Sequence, residues 1–315
     1  MQNNHVSSLL NQFLDDFYYR REHPNEIRGL PSGLNLLDRT VDGFKPGEVI
    51  LIGGRPGMGK TFFSINLMHH IASYFQDQHQ QNNADDKCVL YFNLGMSNID
   101  FIRRLIAVDS GLSSSVIKTQ GNLTDVEESI KKSALHISSM PIYISNTEDI
   151  SDEIQKTSTH KQIGCVIINC LQLMGSSQFP EEDYTDTICQ MKKLATQLNI
   201  PIIILTQLSR ELEERDCKIP LCCDIRGYNK KQVHADKILF LYREFYYLQN
   251  NKPKRSLDET LEQFALRVAD WERRKTETQN QCDIIIAKNN TPCHIVRKFT
   301  FSQENGTFKD YDDTI

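Results

Sequence analysis

Eight consecutive residues restrict this chain more than any others: Gly54-Arg55-Pro56-Gly57-Met58-Gly59-Lys60-Thr61. They fit G-x-x-x-x-G-K-[ST], with an apolar run before them (49–53) and apolar residues at helical spacing after them. Such a loop needs a strand to launch it and a helix to receive it, so it demands an α/β fold. Its glycines let successive backbone N–H groups turn inward as an anion nest. The following helix adds partial positive charge at its N-terminus. Lys60 is placed to reach β- and γ-phosphates, and Thr61 to ligate Mg2+. The motif therefore predicts binding of a nucleoside triphosphate. It leaves the reaction open, because hydrolysis also needs an acid behind the metal's water, a base for the attacking water and often a neighbour's arginine.

The rest of the sequence supplies the sheet. Short apolar runs at 49–53, 89–94, 141–144, 165–168, 202–206, 237–242, 282–287 and 295–301 are predicted strands. Helical patterns fall at 60–76, 98–110, 124–138, 151–160, 184–199 and 257–275. Unbroken runs such as PIIIL predict strands buried on both faces. Alternation of strand and helix predicts a mostly parallel sheet flanked by helices, and the close spacing of the last two runs predicts an antiparallel hairpin at its end. Two segments read as insertions: 76–87, rich in Gln and Asn and expected to be a mobile loop, and 249–281, charged and expected to be a surface helical excursion.

The first 28 residues stand apart. Val6, Leu9, Leu10, Phe13, Leu14, Phe17 and Tyr18 line one face of a helix expected to end at His23-Pro24. Such a stripe must be covered, either by the chain's own core or by a neighbour. Composition sets further bounds. Net charge is −5 over 315 residues, which excludes a globally basic nucleic-acid coat. No run approaches the ~18 apolar residues of a membrane span, and the N-terminus lacks a signal-peptide pattern, so a cytoplasmic location is expected. The nine cysteines include no C-x-x-C pair, and free thiols are expected.

Beyond the loop, the blocks IRGLPSGLNLLDRTVDGFKPGEVILIGGRPGMGKTFFSINL, NLGMS, VIINCLQLM, IPIIILTQLSRELEER, CDIRG, HADKILFLYREFYY and IIIAKNN occur in this order. Over about residues 7–311 the chain resembles the RecA-like C-terminal domain of bacterial replicative DNA helicases of the DnaB type, superfamily 4. The resemblance implies a P-loop NTPase core at 29–315, with residues 1–28 as a linker helix and arm that dock on an adjacent subunit. It implies ATP and Mg2+ bound between subunits of a hexameric ring and single-stranded DNA in the channel. The family's separate N-terminal helical domain is expected to be missing. Gln207 then matches a polar γ-phosphate sensor, and Lys288 a lysine near the phosphate.

Several family positions are substituted. Gly95 stands where an acidic residue is the catalytic base, and Asn169 where an aspartate holds the metal's water. Asn290 stands where an arginine finger reaches the neighbouring site, and Arg226 lies in an altered D-L-R-E block. Asp100 is a nearby carboxylate, either a replacement base or a helix cap. Of the two loops that contact DNA in the family, the first carries Glu181, Glu182 and Asp183 and no basic residue. The second offers Lys230 and Lys231 as phosphate contacts. The leading expectation is an ATP-binding member with impaired hydrolysis and unwinding, acting as a ring subunit, a modulator of an intact replicative helicase or a decaying copy. The alternatives are an active ATP-dependent helicase at the replication fork, and a P-loop ATPase acting on a protein partner.

Overall fold

A computed structural model describes residues 6–24, 26–82, 86–119, 124–170, 185–225 and 234–311. Helix α1 (Val6–Glu22) precedes α2 (Asn35–Val41), after which strands and helices alternate. In chain order these are β1 (Val49–Gly54), α3 (Lys60–Asn82), β2 (Lys87–Asn93), α4 (Asn98–Ser110), α5 (Ser114–Thr119) and α6 (Thr124–Ser139). There follow β3 (Ile142–Ser145), α7 (Ile150–Ser158), β4 (Gln162–Asn169), α8 (Thr185–Leu198), β5 (Ile202–Gln207) and β6 (Lys237–Tyr242). The chain closes with α9 (Glu244–Asn250), α10 (Leu261–Glu277), β7 (Gln281–Asn289), β8 (Thr291–Phe301) and β9 (Phe308–Asp310).

The described strands form one sheet in the order β3-β2-β4-β5-β1-β6-β7-β8-β9. The first six in this order are parallel, and the last three run antiparallel as a meander. Alternate residues serve opposite faces. Ile50 and Ile52 join Val89, Tyr91, Ile203 and Leu205 under α2, α3 and α4. Val49 and Leu51 join Leu90, Phe92, Ile202 and Ile204 under α7 and α8. This double burial explains why the strand sequences read as continuous apolar runs.

Most expected elements are present, with three corrections. The 76–87 segment is not a loop throughout: α3 continues to Asn82, because no Gly or Pro interrupts it and polar residues suit a helix end that has passed beyond the core. The hairpin strand β8 begins at Thr291, earlier than expected. Strand β9 was not anticipated from its three residues, although its Asp310 caps α2, accepting the Asn35 and Leu36 N–H groups at 2.9 and 3.0 Å. The nine cysteines are free, as expected. No described helix is long and apolar enough to cross a membrane.

Helix α1 ends where Pro24 approaches. Its arm is fastened by an Arg28–Asp16 ion pair and by the Tyr19 hydroxyl, which donates to Glu26 at 2.6 Å. All seven apolar residues of its stripe are exposed; Phe13 is 62% accessible. In the described residues the stripe is left open to solvent.

At the N-terminal edge of the sheet, Lys237 and Glu48 form a buried ion pair with side-chain exposures of 0% and 9%. Burial lowers the Lys237 pKa, and the Glu48 carboxylate opposes that shift. Lys237→Ala is expected to cost about 3–5 kcal/mol in denaturant unfolding, since it strands Glu48. Lys237→Met with Glu48→Leu should recover most of that loss. Full burial of each large α1 side chain is worth about 1.5–3 kcal/mol before ordering costs. Deleting residues 1–24 is therefore expected to shift any oligomer toward monomer in sedimentation velocity. A wild type that is monomeric across micromolar concentrations would refute that role for α1.

Candidate functional site

Because β1, β2, β4 and β5 are parallel, their C-terminal ends lie along one edge. Gly54 pairs with Gln207 across β1 and β5, and Asn93 with Asn169 across β2 and β4. Polar groups in an otherwise apolar sheet are concentrated here, at the edge where open α/β sheets bind ligands.

The loop Gly54–Thr61 leaves β1 at this edge and runs into α3, so Lys60 and Thr61 occupy the first helical turn. Gly57 and Gly59 have φ of 83° and 89°. Gly57 is doubly required: an added Cβ would sit 2.4 Å from a ring carbon of Tyr246 in α9. The Lys60 ammonium donates to the Gly54 and Arg55 carbonyls at 2.7 and 3.0 Å. Burial is the main cause that pulls its pKa down to about 8.

The other side chains of the motif serve the loop rather than a ligand. Arg55 donates from Nε to Glu213 at 2.8 Å and from its guanidinium to the Leu208 carbonyl at 2.9 Å. Only its backbone therefore remains for the nest. Met58 is buried, and its sulfur accepts the Arg243 N–H at 3.2 Å. Arg243 also donates to the Gly57 carbonyl at 3.1 Å and lies 4.7 Å over the Phe301 ring. Sequence reading missed Arg243 and Tyr246. Their signal was the block following β6, which carries the arginine and aromatics beside the loop.

Around the loop, the strand ends are neutral. Asn169 is buried, and its Nδ2 has no hydrogen-bond partner. Its backbone carbonyl accepts the Leu94 N–H at 3.1 Å. Asn93 steadies the next turn, donating to the Met96 carbonyl at 3.0 Å and to Asn98 at 3.1 Å. Gly95 is exposed in that turn. It is not among the described glycines with positive φ, so nothing in the backbone demands glycine there. Asp100 is engaged in the capping of α4: its N–H donates to Oγ of the N-cap Ser97 at 3.1 Å, the Ser97 hydroxyl donates back to its carboxylate at 2.7 Å, and Arg103 pairs with it. Those bonds hold its pKa down, which suits a cap and opposes a role as base.

Magnesium takes hard oxygen ligands and usually keeps waters and phosphate oxygens in its shell. Thr61 at the start of α3 and the amide of Asn169 at the strand edge fit that demand, without the charge a carboxylate would add.

Lys288 and Asn290 are not brought to this edge. Lys288 pairs with Ile238, which pairs with Leu51, about 10 Å short of Gly54 along the strand, and its ammonium turns to the Ala235 carbonyl at 2.6 Å. Asn290 forms the tip of the β7–β8 hairpin with φ 60°. Antiparallel β7 thus carries Lys288 to the end of the sheet opposite its own chain's phosphate loop. Arg226, Lys230 and Lys231, and the acidic loop with Glu181, Glu182 and Asp183, lie outside the described residues.

The fold and the loop define a RecA-type P-loop domain. The model of the DnaB-like helicase C terminal domain matches residues 29–310, and the chain belongs to that family. It is 29% identical over 289 residues to the replicative DNA helicase DnaB of Rickettsia bellii, covering 89% of this chain and 57% of that protein. It is 31% identical over 263 residues to the probable replicative DNA helicase of Trieres chinensis, covering 80% of this chain and 55% of that protein. The chain thus spans little more than half the length of these relatives. Among solved structures, it is similar in fold to an isolated ATPase domain, with a TM-score of 0.78 and 24% identity over 99% of this chain and 100% of that one. It is also similar to a DnaB-like replicative helicase, with a TM-score of 0.74 and 25% identity over 99% of this chain and 68% of that one.

Phosphate binding favours charged Lys60. Affinity for a non-hydrolysable ATP analogue is therefore expected to fall as pH rises above about 8 and Lys60 loses its proton. In Lys60→Ala, titration calorimetry should show affinity well below wild type and no such fall. Equal affinity in the two proteins would exclude Lys60 from the site.

Proposed function

We propose that this chain binds ATP with Mg2+ through residues 54–61 as a subunit of a DnaB-type assembly in DNA replication, and that it turns ATP over slowly. The observation that carries this reading is an assembled phosphate loop beside strand ends that bear no carboxylate at Gly95 or Asn169. In this reading residues 29–315 are the ATPase domain, and residues 1–28 the arm that reaches a neighbouring subunit of a hexameric ring or an intact replicative helicase. Single-stranded DNA is the polymer such a ring would hold.

In this reading the nest amides and Lys60 would hold the phosphates and Thr61 the metal, which when bound would supply positive charge to the phosphate oxygens. Gln207, level with Gly54, is placed to sense the terminal phosphate. What the chain supplies poorly is chemistry on the attacking water. A general base is worth roughly 10²–10⁴ in rate, and Gly95 cannot take a proton. An arginine finger is worth about 10³–10⁵, and the Asn290 hairpin, which points away from its own loop, offers a neighbour only a neutral amide. These losses are not multiplicative, because the groups act as a unit.

Steady-state ATPase with and without single-stranded DNA tests the proposal. Turnover far below an intact helicase of this type, with no unaided strand separation, is expected. Gly95→Glu with Asn169→Asp should raise turnover clearly. Adding Asn290→Arg should raise it further, less a folding cost of roughly 1–2 kcal/mol for arginine in a left-handed turn. Brisk DNA-stimulated hydrolysis by the unmodified chain, abolished by Lys60→Ala, would overturn the reading in favour of an active helicase.

A further inference from the structure

On the outer side of the α3 layer, three helices bring two imidazoles to one carboxylate. His69 Nε2 on α3 and His136 Nδ1 on α6 each lie 2.7 Å from Asp109 Oδ1 on α4. All three atoms fall within 4.8 Å of one another. Ser133, itself buried, hydrogen-bonds the same carboxylate. Asp109 is 7% exposed and His136 48%, so the cluster is closed on the helix side and open to water through one imidazole.

We infer that His69, Asp109 and His136 form a binding site for a divalent transition-metal ion of the zinc class, bracing α3, α4 and α6. Two imidazoles and one carboxylate leave a fourth tetrahedral position, and the exposed side of His136 admits water to it. One imidazole would satisfy a carboxylate buried in a helix seam. Two converging on one oxygen, with Ser133 orienting that carboxylate, reproduce the arrangement of ligands and outer partner seen at metal sites. The soft-to-borderline nitrogen set favours zinc, cobalt or nickel over magnesium or calcium.

The geometry needs modest opening. Tetrahedral zinc with bonds of about 2.0–2.1 Å separates its ligand atoms by about 3.3 Å, so each imidazole must retreat by roughly 0.6 Å. His136, on a half-exposed face near the end of α6, has room to do so. The ion would take the place of the two bridging hydrogens: a neutral ring moves its proton through water to its other nitrogen, and a protonated ring releases one proton to solvent. Since α3 starts at Lys60 and α4 just after the Gly95 turn, the ion would tie together two helices that begin at the nucleotide edge. His69 sits about 13 Å along α3 from Lys60, so this site is separate from the nucleotide's magnesium.

The test uses the full chain without nucleotide, titrated with Co2+ as a spectroscopic probe and with Zn2+ for stability. The variants are His136→Gln, at the exposed position, and Asp109→Asn, which keeps the shape of the carboxylate. Expected are one Co2+ per chain with ligand-field bands but no thiolate charge transfer, and a rise in Tm with Zn2+. In both variants affinity should drop roughly 10-fold or more, the loss that even an outer-shell partner causes, and the Tm rise should vanish. His136→Gln without metal should melt near wild type, which separates ligand loss from misfolding. No stoichiometric uptake, uptake unchanged in His136→Gln, or spectra dominated by thiolate ligation would overturn the assignment and leave the trio as a hydrogen-bonded helix clamp.

Discussion

A parallel sheet covered by helices on both faces has no free surface on which to do chemistry. In this chain the side chains of β1, β2, β4 and β5 are consumed by two apolar layers, one under α3 and one under α8. What remains is the edge where these strands stop, and everything polar that bears on the nucleotide reading gathers there: Gly54, Asn93, Asn169, Gln207 and Lys60. The same constraint separates the two ends of the molecule. Strand β7 runs against β6, so its hairpin with Lys288 and Asn290 emerges at the far edge, away from the phosphate loop of its own chain.

Holding a triphosphate and cleaving it are different physical tasks, and in the proposed reading the loop is assigned the first. Its anion affinity comes from backbone amides, the α3 terminus and one partly desolvated ammonium. None of these depends on Gly95, Asn169 or Asn290. The loop's shape is held from behind by Arg243 and Arg55, which spend their hydrogen bonds on Gly57, Leu208 and Glu213. The geometry of the loop is therefore independent of which residues stand at 95, 169 and 290.

Apolar runs and helical spacing located the eight strands that dominate the sheet, because double burial writes itself into sequence as unbroken Val, Ile and Leu. The phosphate loop was legible because its glycines have a backbone reason. The Gln/Asn-rich segment misled, since low hydropathy marks solvent, not loss of helix. Three-residue β9 carried no periodicity to read. Placement of Lys288 needed the strand order, which periodicity does not encode. Arg243 and Tyr246 were hidden for a similar reason: they touch Gly57 from far along the chain, Arg243 at a separation of 186 residues. The His69, Asp109 and His136 trio likewise comes from three separate helices, and no local spacing links them.

One link in the surface excursion acquires an optical meaning. Trp271 is the chain's single tryptophan, and its indole Nε1 donates to the Leu248 carbonyl at 3.0 Å, fastening α10 to α9. The same short α9 presses Tyr246 onto Gly57 and sends Tyr247 to Glu213, the partner of Arg55. The single indole is thus linked to the phosphate loop through one helix of seven residues. Lys275, 5.0 Å over the indole ring, sits where it can shift the emission as that contact changes. A rearrangement of the loop carried through α9 is therefore expected to register in the tryptophan emission, with no label required.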